Sequence, residues 1–173
     1  SVITRYTMRT KAPYTIDAAS AKTIIDWPSD GHNGAAVCFG KDGLMYVTSG
    51  DGTSDSDTNL MGQRTDSLLA KVLRIDVDKP DAGKAYSVPK DNPFVQNKDF
   101  VPETWAMGLR APWRITYDAK SDQLWVCQNG QDLWEQAYLV KKGDNYGWSV
   151  MEGSHEFYAN RKAGPKPFAP PTV

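Results

Sequence analysis

The segment FGKDGLMYVTSGD, residues 39–51, contains the end of one apolar strand, an Asp-Gly turn, a second strand and a polar exit at Gly50 and Asp51. Two apolar runs separated by a tight Asp-Gly turn predict an antiparallel hairpin. A second segment, YDAKSDQLWVCQNGQD at residues 117–132, repeats this order of strand, turn, strand and Gly-containing exit. Repeated units of this kind are typical of the blades of a β-propeller. The spacing leaves a β-sandwich open as the alternative.

The rest of the chain has the same β character. Its apolar segments are short and rich in β-branched and aromatic residues, with Gly, Asp, Asn or Pro between them. These segments are VITRYTM, KTIIDW, AAVCFG, KVLRIDV, PWRITYD and QAYLVKKG. One stretch, TDSLLAKVL at residues 65–73, matches helical spacing, although a turn that leads into the strand KVLRIDV explains it equally. The sequence therefore predicts an all-β fold.

Composition limits the partners. The 173 residues carry 20 Lys and Arg against 21 Asp and Glu, a net charge of -1. This balance gives no basic surface of the kind that nucleic-acid binding requires. No apolar run approaches the roughly 20 residues that a membrane-spanning helix needs. We therefore expect neither nucleic-acid binding nor membrane insertion, and no signal peptide is visible after Ser1.

The two cysteines, Cys38 and Cys127, both lie in apolar strand segments. Two cysteines are too few for a disulfide framework or a Cys-based zinc site. We expect both to be small buried apolar side chains. A single disulfide between neighbouring strands is the alternative, and it would indicate an oxidising compartment.

His32 and Asp51 are the first candidate site residues. His32 lies in the turn DGHNG immediately before the strand AAVCFG, and Asp51 directly follows the strand MYVTS. A histidine on a Gly-flanked turn is accessible and can take up a proton near neutral pH. A carboxylate at a strand exit can hydrogen-bond to such an imidazole and orient it. A solvated turn histidine is the alternative interpretation of His32.

Two later segments offer further polar groups. Arg110, in GLRAPW, is on a turn stiffened by proline and could bind a carboxylate or stabilise developing negative charge, or serve in a structural ion pair. The segment NGQDLWEQ, residues 129–136, contains Gly130 and Gln131 with Asp132 and Glu135 close by. Backbone carbonyls near glycine and nearby carboxylates are the oxygen ligands that calcium prefers.

Six segments, taken in order, resemble the soluble pyrroloquinoline-quinone-dependent glucose and aldose sugar dehydrogenases. The resemblance runs from about Val2 to Trp148. The segments are GHNGAAVCFGKDGLMYVTSGDG, KVLRIDVD, SVPKDNPF, ETWAMGLRAPWRITYD, NGQDLWEQ and KGDNYGW. The family fold is a six-bladed propeller that binds quinone and sugar at one mouth of its central channel.

The resemblance implies a role for each candidate residue. His32 matches the base that takes the proton from the anomeric hydroxyl of an aldose while hydride passes to the quinone. Asp51 matches the carboxylate that orients this histidine, and Arg110 matches the arginine beside the quinone. The backbone carbonyls of Gly130 and Gln131 match the ligands of a calcium ion that acts as a Lewis acid. Glu135 is then a further candidate ligand of the metal.

The chain departs from the family pattern at three positions. Ala111 stands where an asparagine commonly contacts the quinone, and Gln131 stands where the glucose dehydrogenases have proline. Gln136 falls near an acidic calcium ligand of the family, which leaves Glu135 or Asp132 as substitutes. The lysine and arginines that bind the quinone carboxylates in the family would lie beyond Val173.

We therefore expect about half of a six-bladed propeller made of four-stranded antiparallel sheets. Residues 1–30 would end one blade, residues 31–100 would form the next with an inserted loop, residues 101–150 another, and residues 151–173 a connection. The isolated chain is then expected to be inactive and to need the remainder of a parent propeller, or oligomerisation, to cover its strand edges.

The expected function is that of a quinone- and calcium-dependent aldose dehydrogenase, periplasmic or secreted as in the family. The sugar and the electron acceptor stay open. Two alternatives remain. One is a non-catalytic propeller that binds a ligand or a protein, and the other is a calcium-dependent propeller hydrolase such as a lactonase.

Overall fold

A computed structural model describes all 173 residues and contains eleven β-strands. The strands are β1 (Val2–Met8), β2 (Ile16–Asp26), β3 (Gly34–Phe39), β4 (Met45–Ser49), β5 (Lys71–Ile75), β6 (Thr104–Met107), β7 (Ala111–Asp118), β8 (Gln123–Asn129), β9 (Gln136–Val140), β10 (Met151–Glu152) and β11 (His155–Glu156). Residues 65–70 bend into β5 without forming a helix, so the interpretation of residues 65–73 as a turn that leads into the strand is confirmed and the helical one is wrong. The all-β prediction is confirmed, and no helix is present that could cross a membrane.

The first large sheet has four antiparallel strands in the order β3-β4-β5-β6. The hairpin predicted from residues 39–51 forms its first half, with Phe39 opposite Met45. β6 joins this sheet through the pairing of Lys71 with Met107. The blade boundary expected after residue 100 would assign β6 to the next blade. In the structure, the long loop after β5 returns the chain to the edge of β5, so β6 belongs to the first large sheet.

The second large sheet has three antiparallel strands in the order β7-β8-β9. The last two residues of the chain continue it along the free edge of β9. The amide of Ala137 donates to the carbonyl of Val173 at 2.9 Å, and the amide of Thr172 donates to the carbonyl of Ala137 at 2.8 Å. Residues 151–173, expected to be only a connection, thus also form the hairpin β10-β11 and contribute this edge pairing.

The hydrophobic core lies on both faces of the four-stranded sheet. Side chains alternate between the two faces of a strand, and in β4 Met45 and Val47 face one cluster while Tyr46 faces the other. The first cluster also contains Ile25 and Trp27 from the β1-β2 hairpin and its exit. The second cluster is shared with β8 and β9 and includes buried Val126, Tyr138 and Tyr146. A sheet packed between two neighbouring layers is what a propeller blade requires.

The same alternation explains a wrong expectation about Cys127. Val126 and Gln128 point inward and are buried, so Cys127 between them lies on the opposite face and is exposed. Cys38 is half-buried. Both thiols are free, so the disulfide alternative is absent from this structure.

The candidate residues cluster because of strand direction. His32 precedes β3 and Asp51 follows β4, while Arg110 precedes β7 and Gly130 follows β8. In antiparallel hairpins, the start of the first strand and the end of the second lie at the same end. Since β3 and β4 also pack against β7, the two hairpins bring all four residues to one end of the sheets.

Candidate active site

His32 and Asp51 form a hydrogen-bonded pair at the open end of the β3-β4 hairpin. Nδ1 of His32 lies 2.8 Å from Oδ1 of Asp51, although the two residues are 19 positions apart. The side chain of Asp51 is 0% exposed and that of His32 is 16% exposed. The pair therefore joins a buried carboxylate to an imidazole that reaches the surface.

Asp51 determines which imidazole nitrogen of His32 is free. An ionised carboxylate only accepts hydrogen bonds, so Nδ1 of His32 carries the proton in their contact. Nε2 then has the lone pair, and it has no hydrogen-bond partner within the protein. A neutral imidazole in this tautomer can take up a proton at Nε2 from an approaching hydroxyl group.

Two glycines allow the backbone to place this pair. A Cβ at Gly31 would overlap the backbone of Thr53, and a Cβ at Gly50 would overlap the carbonyl of His32. This close packing lets the amide of His32 donate to the carbonyl of Thr53 at 2.9 Å. Gly31 and Gly50 are therefore needed for the loop before β3 to contact the loop after β4.

Trp148 holds the second oxygen of the Asp51 carboxylate. Nε1 of Trp148 donates to Oδ2 of Asp51 at 2.8 Å, and the indole is buried against Phe157, with 5.2 Å between the ring centroids. The amide of Thr53 donates to Oδ1 of Asp51 at 3.0 Å. Each oxygen of the buried carboxylate thus has a donor, as a charged group in such a place requires.

Arg110 lies beside this pair but is held by Gln131. Its carbonyl accepts the amide of Asp51 at 2.8 Å. Its Nε and Nη2 donate to Oε1 of Gln131 at 2.9 and 2.6 Å, and its Cζ lies 5.6 Å from the ring centroid of Trp148. Burial lowers the pKa of the Arg110 guanidinium, while Asp51 and Glu152 act in the opposite direction.

The side chain of Gln131 connects Arg110 to the loop after β4. Its Nε2 donates to Oδ1 of Asp55 at 2.5 Å, and its Oε1 accepts the amide of Ser56 at 3.0 Å. The family resemblance implies a role for Gln131 only through its backbone carbonyl. The structure adds a role for its side chain, which links Arg110 to the loop after β4 and which proline at this position could not have.

A buried carboxylate lies under the Gly130 segment. Oε1 of Glu152 accepts hydrogen bonds from four consecutive backbone amides, those of Gln131 at 2.5 Å, Asp132 at 2.9 Å, Leu133 at 3.3 Å and Trp134 at 3.5 Å. A Cβ at Gly130 would overlap the backbone carbonyl oxygen of Trp134 and lie 2.5 Å from the same Glu152 oxygen. Glycine at position 130 is therefore required chiefly by the close approach of the Trp134 backbone. Glu152 could not be identified from the sequence, because it is 21 residues from Gln131 and lies outside every motif.

The proposed calcium ligands are only partly assembled. The carbonyl oxygens of Gly130 and Gln131 accept no hydrogen bond and are available. Glu135 is exposed, and its Oε2 accepts Nδ2 of Asn129 at 2.7 Å. Gln136 is buried, and its Oε1 accepts Nε2 of Gln128 at 2.6 Å. No three His, Cys, Asp or Glu side chains converge in the chain.

These residues fit one side of the quinone site that the family resemblance implies. Nε2 of His32 is free, and Arg110 supplies a cation next to the backbone of Asp51. Ala111, where the family has a quinone-contacting asparagine, is buried and has no polar side-chain group. The chain therefore offers a proton acceptor, a cation and two free carbonyls. The contacts of Arg110 with Gln131 and with the carbonyl of Asn129 use three of its five N–H groups, so the guanidinium keeps two for another group.

Comparison with known proteins gives three informative relatives. The HIPL1 protein of Arabidopsis thaliana is 36% identical over 95% of this chain and 26% of its own length. The Hedgehog-interacting protein of Homo sapiens is 30% identical over 67% of this chain and 17% of its own length. The PQQ-bound aldose sugar dehydrogenase of Streptomyces coelicolor superposes with a TM-score of 0.67 at 27% identity, covering 97% of this chain and 48% of that one.

The chain thus spans about a quarter of HIPL1 and about half of the Streptomyces structure. The solved neighbours are propellers, so the prediction of a β-propeller over a sandwich is confirmed. The profile of the family described as Glucose / Sorbosone dehydrogenase matches residues 4–171. On this match, the chain belongs to the glucose/sorbosone dehydrogenase family.

Proposed function

We propose that this chain carries the proton-abstracting part of a quinone-dependent aldose dehydrogenase. The observation that carries the proposal is the 2.8 Å contact between Nδ1 of His32 and Oδ1 of the fully buried Asp51. A histidine oriented by a buried carboxylate, with its other nitrogen free, is the arrangement expected of a general base.

His32 would take the proton of the anomeric hydroxyl at Nε2. The imidazolium that forms is stabilised by Asp51, whose charge is 2.8 Å away and shielded from water. The hydrogen bond from Trp148 to Oδ2 keeps the carboxylate in place during this transfer. As the proton leaves, the C1–H electron pair of the sugar leaves carbon as hydride, and the aldose is oxidised to the lactone.

When bound, pyrroloquinoline quinone supplies the hydride acceptor, and calcium supplies a Lewis acid at its carbonyl group. Arg110 is the residue that would stabilise negative charge beside it, through the N–H groups that Gln131 and Asn129 do not use. The free carbonyls of Gly130 and Gln131 would hold the calcium ion, with Glu135 as a further candidate ligand. The Streptomyces relative, a PQQ-bound aldose sugar dehydrogenase, supports this assignment of cofactor and substrate class.

A second candidate function is a non-catalytic propeller that binds another protein. Two observations favour it: three of the five N–H groups of Arg110 are already bonded to Gln131 and Asn129, and Ala111 removes one polar contact to the quinone. The Hedgehog-interacting protein is also among the relatives. A calcium-dependent lactonase is supported less, because no cluster of carboxylates converges in the chain. A periplasmic or secreted location, as in the family, is part of the proposal for either function.

The two functions are separated by dye reduction with the longest natural form of the protein, given quinone, calcium and a panel of aldoses. An enzyme will reduce the dye only with quinone present, and Asp51→Asn will lower kcat at least 100-fold because the amide no longer stabilises the imidazolium. The control is Asp66→Asn, an exposed carboxylate paired with Arg64 that should leave the rate unchanged. No quinone-dependent turnover with any aldose would reject the dehydrogenase and leave the binding protein.

A further inference from the structure

The strongest unused feature of the molecule is the single carboxylate oxygen that accepts four backbone amides. Glu152 is 4% exposed and belongs to the short strand β10, yet its Oε1 is directed at residues 131–134 after β8. No lysine or arginine side chain is bonded to it, so these amides are its whole set of partners. An arrangement of consecutive amides around one anion fixes the conformation of the backbone that supplies them.

We infer that Glu152 is a positioning residue that orients the carbonyls of Gly130 and Gln131 for a divalent cation. This inference rests on the calcium site of the proposed function. The peptide group is planar and trans at both positions, so its N–H and its C=O point in opposite directions.

The amides bonded to Glu152 belong to the same peptide groups as the two free carbonyls. The N–H of Gln131 shares its peptide plane with the carbonyl of Gly130, and it donates to Glu152 at 2.5 Å. The N–H of Asp132 shares its plane with the carbonyl of Gln131, and it donates at 2.9 Å. Attraction of both N–H groups toward Glu152 therefore turns both carbonyl oxygens away from it, to the side where they accept no hydrogen bond.

Two sequence features make this arrangement possible. Gly130 has no Cβ, which would otherwise overlap the backbone carbonyl oxygen of Trp134 and lie 2.5 Å from Oε1 of Glu152. Position 131 is glutamine, which has a backbone N–H to donate, as proline would not. The shortest of the four contacts therefore depends on a residue other than proline at this position.

The test compares Glu152→Gln with the parent in the full chain by two measurements. Calorimetric titration with calcium chloride reports cation binding, and hydrogen exchange reports the protection of the amides of residues 131–134. The control is Glu156→Gln, which removes the same charge from the exposed neighbouring strand β11 without touching the loop. Glu152→Asp serves as a second variant that keeps the charge but shortens its reach.

We expect Glu152→Gln to weaken calcium binding 10- to 100-fold, the usual effect of removing a group that orients metal ligands, and to speed exchange of the four amides. Glu152→Asp should fall between it and the parent, and Glu156→Gln should match the parent. Faster exchange with unchanged calcium affinity would overturn the inference, as would unchanged exchange. A parent that binds no calcium would overturn it too, whereas the base function of His32 is tested separately by the effect of Asp51→Asn on the rate.

Discussion

The hydrogen bond from Trp148 to Asp51 gives a quantitative test of how the buried carboxylate is held. Trp148→Phe keeps an aromatic ring in the buried space but removes Nε1, which donates to Oδ2 of Asp51 at 2.8 Å. The oxygen that is left belongs to a side chain with 0% exposure, so water does not readily replace the lost donor. The variant should therefore lose more free energy of unfolding than the smaller volume of the Phe side chain alone would cause.

The chain contains a matched control for the volume change. Trp27 is 4% exposed and Trp148 is 2% exposed, but the Nε1 of Trp27 has no hydrogen-bond partner. Trp27→Phe removes the same atoms without breaking a bond. A hydrogen bond to a charged group contributes about 1.5–3 kcal/mol, so Trp148→Phe should lower the free energy of unfolding by at least about 1.5 kcal/mol more than Trp27→Phe.

Urea unfolding of both variants, followed by tryptophan fluorescence and far-UV circular dichroism, measures this difference. The comparison is valid if the slopes of the free energy against urea agree with that of the parent. Equal destabilisation of the two variants, or a larger effect of Trp27→Phe, would refute the view that Trp148 holds a charged carboxylate.

Three further predictions concern groups outside this contact. Burial lowers the pKa of Lys71 to about 7, so the unfolded chain binds more protons than the folded chain from about pH 7 to 10. The free energy of unfolding of the parent should therefore rise with pH across this range relative to that of Lys71→Met. Denaturation of both proteins at several pH values measures this difference, and parallel pH dependences would contradict the burial of Lys71. Cys127 is exposed, whereas burial raises the pKa of Cys38 to about 11, so a thiol reagent at pH 8 should label Cys127 first. Peptide mapping measures the two labelling rates, and faster labelling of Cys38 would contradict the described faces of β3 and β8. Gly50→Ala should destabilise the chain by about 1–3 kcal/mol in urea, because its Cβ would overlap the carbonyl of His32, and a neutral effect would mean that the two loops do not touch.

The hairpin and its site pair could be predicted because their information is local. Apolar alternation and an Asp-Gly turn define β3 and β4, and a residue just before the first strand must then lie near one just after the second. His32 and Asp51 are such residues. The same reasoning places Arg110 and Gly130 at the matching end of β7 and β8.

The parts that could not be predicted depend on distant residues. Trp148 reaches Asp51 across 97 residues, and Glu152 reaches the Gly130 segment from a two-residue strand. No periodicity or motif connects such partners. The place of β6 in the first large sheet also depends on which strands pair, which local composition does not specify.

His32 is proposed to act as the base of a quinone-dependent sugar dehydrogenase. The most direct test is the rate of aldose oxidation by the longest natural form of the protein carrying His32→Ala, measured together with its affinity for pyrroloquinoline quinone. We expect a loss of about 100-fold or more in kcat with nearly unchanged quinone affinity, because only proton abstraction is removed. A rate within a few-fold of the parent would contradict it and return His32 to the role of a turn residue.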